Sequence, residues 1–304
     1  MKIIEKKYWY LGFSLSFIAA GIIAVFMWGL NLSIDFTGGS RITLAFNNAV
    51  TQDTIEAVSN IFNDQEIKVG SIEKSNKLIF ARTSPIDTEQ NNRFVKALAE
   101  KLEGASQQEF ETIGPVIGRE TAFNALKAIG VASILIVIYI TWSFRRVPKP
   151  ASSFRFGVCA ILALVHDVLI VVGVFAILGH FLGVEIDSLF VTAILTVIGF
   201  SVHDTIVVFD RIRENLIRKG SLNFSATVNE SIVQTIVRSL NTSLTTILVL
   251  FALLFFGGES IRWFVVALIV GIVAGTYSSI FTASPLLVLW QEISDKKKAI
   301  SDKR

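Results

Sequence analysis

Charge is scarce in this chain: 17% of its 304 residues are Asp, Glu, Lys or Arg, against 52% that are apolar. A soluble domain carries nearer a quarter charged residues, so a wholly water-soluble globule is excluded. Cysteine is almost absent. Cys159 stands alone inside an apolar run, which excludes a disulfide framework and gives no basis for a redox role. Neither G-x-S-x-G nor H-E-x-x-H occurs, so nothing points to membrane proteolysis or any other enzyme, and no cofactor is expected. A net charge of +3 is too small to argue for nucleic acid as a partner. No A-x-A-like cleavage site follows the first apolar run, which is long for a signal peptide and is read as a retained anchor.

Long apolar runs fill most of what remains. A bilayer takes about 20 apolar residues in helix, and candidate spans cover roughly 9–30, 124–144, 156–179, 187–210, 240–256 and 262–290. The expected class is a polytopic α-helical membrane protein with six transmembrane helices and one small α+β ferredoxin-like periplasmic domain. Its expected divisions are a tail and first span over 1–30, a periplasmic domain over 31–120, a five-helix bundle over 121–291 and a basic cytoplasmic tail over 292–304. Basic residues set the orientation. Lys2, Lys6 and Lys7; Arg145, Arg146, Lys149 and Arg155; Arg211, Arg213, Arg218, Lys219 and Arg238; and Lys296, Lys297, Lys298, Lys303 and Arg304 all fall on one side. Both termini are therefore expected in the cytoplasm, and 31–120 outside. All five tryptophans (Trp9, Trp28, Trp142, Trp263 and Trp290) sit at expected span ends, where indole prefers the boundary.

The outward segment reads β-α-β-β-α-β. Residues 40–47 alternate like a strand, and Ile55, Val58 and Phe62 mark a helix over 51–62. Strands follow over 66–73 and 77–82, then a helix from Asp87 to Leu102 and a strand over 109–113. With 13 acidic and 9 basic residues in 31–120, this domain is mildly acidic. It shows no nucleophile–base pair or metal spacing, and is expected to dock or to space.

Ionisable groups at membrane depth cost about 2.5–3.5 kcal/mol each and so mark candidate sites. They are His166–Asp167 in the third span, His203–Asp204 in the fourth, and Arg238 at the start of the fifth. Thr192, Thr196, Gly199 and His203 form a polar stripe on the fourth span; Arg238, Asn241, Thr242 and Thr245 form another on the fifth. The two stripes are expected to face one another inside the bundle. A carboxyl in low dielectric holds its proton and a nearby guanidinium releases it, so moving Arg238 relative to Asp204 would load and unload a proton. Asp167 and His203 are secondary relay candidates; a static ion pair or a hydrogen-bonded structural histidine is the alternative. Two His–Asp pairs do not build a metal site, because neighbours on a helix point about 100° apart. Ala267, Gly271, Gly275 and Ser279 form a small-residue stripe for close packing, inside the bundle or against a partner. Pro285 is expected to kink the last helix.

Several stretches resemble a known family. Asp35-Phe-Thr-Gly-Gly, with Gly38 and Gly39, is similar to the signature of the SecD/SecF proteins. Ser201-Val-His-Asp-Thr-Ile-Val-Val-Phe-Asp-Arg-Ile-Arg-Glu-Asn resembles the fourth span of the branch that pairs with SecD; SecD typically lacks that His. The stretches from Asn229-Glu-Ser to Arg238-Ser-Leu-Asn-Thr-Ser-Leu-Thr-Thr, and Phe256-Gly-Gly, also match in order. The resemblance implies half of a twelve-span unit in the resistance–nodulation–division superfamily, in a bacterial inner membrane. It implies SecD, the SecYEG channel, the SecA motor and YajC as partners, a translocating polypeptide as client, and the proton-motive force as drive. It puts the family's relay Asp and Arg at Asp204 and Arg238, and it leaves the choice between protons and sodium ions open. The alternatives are a half-transporter exporting a small substrate by proton antiport, and a structural assembly subunit without ion coupling.

Overall fold

The structure is a computed structural model that describes residues 2–145, 147–148, 152–219 and 223–301. Arg146, Lys149, Lys303 and Arg304, used above for orientation, lie outside the described residues. The chain divides into two units, residues 32–126 and the remainder.

The first unit is α+β. After a one-turn helix α2 (Ile34–Thr37) come β1 (Gly39–Phe46), α3 (Gln52–Asp64), β2 (Val69–Ser75), β3 (Leu78–Thr83), α4 (Thr88–Lys101) and β4 (Ala105–Ile113). The sheet is antiparallel in the order β2-β3-β1-β4, the ferredoxin-like arrangement expected from the element order. Ile42 and Leu44 of β1 and Ile79 and Ala81 of β3 point to the helices. There they meet Val58, Ile61 and Phe62 of α3 and Phe94 and Leu98 of α4. The Phe62 and Phe94 rings stack with centroids 4.2 Å apart at the centre. Both helices begin at capping boxes, Thr51 with Thr54 and Asp87 with Gln90, which bond the first free amides.

Six helical segments are long and apolar enough to cross a membrane. They are α1 (Lys7–Trp28), α5 (Pro115–Ser143), α6 (Ser153–Leu182), α7 (Ser188–Lys219), α8 (Phe224–Phe256) and the run of α9 (Glu259–Ser278) into α10 (Ser284–Ser301). In the second unit α1 crosses α6 at two glycines: a Cβ on Gly21 would lie 3.1 Å from the Gly173 Cα. The small residues of α9 serve the interior, since a Cβ on Gly275 would lie 2.9 Å from the Ser201 Cβ of α7.

Two helices are less simple than the expected spans. The helix that carries the fifth starts at Phe224, capped by the Asn223 side chain, well before the apolar run over 240–256. Its polar residues disguised it: Ser231, Thr235 and Ser243 each donate to the carbonyl four residues back, so the helix buries them without unmet bonds. The last helix holds a π-helical turn, Ser279–Ala283, just before Pro285. Proline lacks an N–H and crowds the carbonyl four residues back, and a wider turn relieves both.

Candidate functional site

Asp204 lies in the middle of α7 and is 2% exposed. Ser239 of α8 and Thr276 of α9 face it. Thr276 is held in turn by the Ser243 hydroxyl. Asp204 Oδ2 is buried and accepts no hydrogen bond from the described residues, and the Ser239 hydroxyl beside it is likewise unengaged. A buried carboxyl oxygen left without a donor costs about 1–3 kcal/mol, so Asp204 stands out from the satisfied polar groups around it.

Arg238 is the residue before Ser239, about 100° around α8. Ser239 points into the bundle and Arg238 points away from it. The two polar stripes therefore do not face one another across this chain. Thr192, Thr196, Gly199 and His203 of α7, and Arg238, Asn241, Thr242 and Thr245 of α8, are all on faces turned away from the rest of the chain. Their spacing showed that each set shares a helix face, but spacing carries no information on which face meets a neighbour. Thr192, Thr196, Thr242 and Thr245 bond carbonyls of their own helices. Among the described residues, His203, Arg238 and Asn241 are the polar side chains of these stripes without such a bond. In lipid such groups turn to protein or to water.

Asp167 occupies a second, separate position. It is 1% exposed on α6 and bonded on both oxygens. His166 Nδ1 lies 2.9 Å from Oδ1, Ser278 Oγ of α9 donates to Oδ2 at 2.9 Å, and Ser201 Oγ of α7 donates to the same oxygen. Thr205, next to Asp204, bonds Ser279 at 2.8 Å, the first residue of the π-helical turn. Sequence reasoning missed these hydroxyls. Their signal was the recurrence of Ser and Thr on otherwise apolar helices, which also marks mere back-bonding.

The Asp35-Phe-Thr-Gly-Gly stretch forms a backbone clasp in the α+β unit. Ser33 caps α2 by accepting the Asp35 N–H at 3.1 Å. Gly38 has φ +73°, and a Cβ there would lie 2.6 Å from the Pro115 Cα. A Cβ on Gly118 would lie 2.7 Å from the Gly38 nitrogen. The end of α2 and the first turn of α5 meet here backbone to backbone, a geometry that glycine permits.

Comparison with known proteins bears on what this arrangement serves. The family model for the C-terminal part of "Protein export membrane protein SecD/SecF" matches residues 94–293, and that for the "SecD/SecF GG Motif" matches residues 23–50. The chain is 45% identical to the protein translocase subunit SecF of Thermobaculum terrenum, covering 95% of this chain and 93% of the relative. It is 36% identical to the protein translocase subunit SecDF of Bacillus subtilis, covering 96% of this chain but 38% of that longer one. The crystal structure of SecDF from Thermus thermophilus, described as a translocon-associated membrane protein, superposes with a TM-score of 0.83 at 35% identity. That match covers 96% of this chain and 39% of the solved one.

Proposed function

Because the chain belongs to the SecD/SecF family of protein export membrane proteins, we propose that it is an accessory subunit of Sec protein translocation that works with SecD. On this reading it uses the proton-motive force to promote export of polypeptides through the SecYEG channel beside the SecA motor. It is not an enzyme. It sits in the inner membrane with both termini in the cytoplasm, as the distribution of Lys and Arg supports, so the α+β unit is periplasmic.

The observation that carries the reading is the unbonded oxygen of Asp204, buried at the centre of a six-span chain. SecD docks over the outward faces of α7 and α8. The SecDF relatives support this, since they hold in one chain a segment like this one and further sequence besides. Arg238 then meets a carboxylate of SecD rather than Asp204, and His203, beside Asp204 but turned outward, stands between the buried site and that surface. Protonating Asp204 removes its demand for donors and lets α7 move against α8. Each charge carried through 100 mV supplies about 2.3 kcal/mol, enough to change a two-state population more than tenfold.

The test is export of a secretory protein into inverted vesicles carrying Asp204→Asn, with and without an imposed gradient. Gradient stimulation is expected to vanish while the variant assembles normally. Equal stimulation in both would leave the buried charges structural and the chain a scaffold for its partner.

A further inference from the structure

Resting on the proton-coupled reading and deepening it, we propose that Asp167 is a positioning residue that ties the part of α7 carrying Asp204 to the π-helical turn, so that movement of α7 passes into α10. Asp167 differs from Asp204 in what it has left to bind. Both of its oxygens accept hydrogen bonds, from His166 on its own helix and from Ser201 and Ser278 on two others. Ser201 stands one turn before Asp204 and Thr205 on α7. Ser278 is the last residue of α9, and Ser279 opens the π-helical turn. Asp167 therefore grips α7 and the end of α9 at once, while Thr205 grips the turn from the other side at 2.8 Å.

A π-helical turn holds one residue more than an α-turn, and its conversion to α rotates the following helix by about 100°. The helix that follows is α10, which is anchored to α1 through Lys7 and Glu292 and to α6 through Arg155 and Gln291. A shift of α7 at Ser201 and Thr205 is thereby delivered to the turn, and α10 answers at the cytoplasmic end. Asp167 acts through hydrogen bonds that hold α6, α7 and α9 in register, while the coupling proton stays on Asp204.

The test uses proteoliposomes holding this chain with SecD, SecYEG and SecA. Gradient-stimulated export and its pH profile are measured for wild type, Asp204→Asn, Asp167→Asn and the double variant Ser201→Ala/Ser278→Ala. Export driven by SecA without a gradient controls for folding and assembly. Asp167→Asn and the double variant are expected to lower the stimulated part at least about tenfold, a population change that the loss of one or two buried hydrogen bonds supplies. They leave gradient-free export intact and the pH of half-maximal stimulation where wild type has it. Full stimulation in both overturns the proposal. So does a displaced half-maximal pH, which would make Asp167 a proton carrier. Should Asp167→Asn fail to assemble, the double variant decides alone, and normal stimulation there overturns it. Retained stimulation in Asp204→Asn is the separate result that removes the underlying reading.

Discussion

Two aspartates on neighbouring helices, both within a few percent of complete burial, end in different chemical situations. Asp167 has three donors and Asp204 keeps an oxygen free. Asp167→Ala strands those donors, and is expected to destabilise the bundle by about 1–3 kcal/mol, read as a lower unfolding midpoint in detergent. Asp204→Asn is expected to leave that midpoint nearly unchanged. In the α+β unit, partial desolvation by its neighbours pushes the Glu73 carboxyl, at an exposed position of β2, above its ordinary range, against the opposing pull of the Arg82 guanidinium. A carboxyl raised on folding contributes stability that is full below its unfolded value and is lost as pH rises through the folded one. Glu73→Gln is therefore expected to flatten the pH dependence of hydrogen exchange in β2 and β3 across the weakly acidic range, and an unchanged profile would show that Glu73 does not set it. That Asp167, Asp204 and Arg238 lie within long apolar helices was legible in the sequence, because an ionisable residue in an apolar run stands out. The direction of Arg238 was not, because helical spacing fixes relative angle and leaves the absolute face to the neighbours.

At the level of elements, the strand and helix order of the α+β unit followed from periodicity, and the helix expected from Asp87 to Leu102 is α4, with Asp87 as its cap. The break in the last helix was legible only as a proline. Its form as a π-helical turn depends on Ser279 and Thr282 finding partners on α7 and α1, which are remote in sequence. The packing of α9 on α7 through Gly275 leads to a prediction at this scale. Gly275→Val drives a branched side chain against Ser201, and overpacking of this kind costs roughly 1–3 kcal/mol. It should lower the unfolding midpoint and the gradient-stimulated export together, whereas Gly12→Val, with nothing within 4 Å of a Cβ, should change neither. Gly38→Ala places a side chain at φ +73° against Pro115, and a strained backbone of this sort costs about 1–3 kcal/mol. Hydrogen exchange at β1 and β4 is the measurement, and exchange as slow as in wild type would show that the clasp adapts.

On the scale of the molecule, six apolar helices and one inserted α+β unit make a chain that corresponds to about two fifths of the solved SecDF protein. The hydroxyls of Thr192, Thr196, Thr242 and Thr245 are spent on their own backbones, which makes most of the outward stripes acceptable to lipid. The residual cost rests on a few groups, chiefly Arg238, at about 2.5–3.5 kcal/mol. On the proposed reading, that cost persists until the other half covers the face, so the assembled pair lies lower in free energy than the separate subunits. What an unassembled copy would show the lipid, and an assembled pair would hide, is the exposed face of α8 with Arg238 on it.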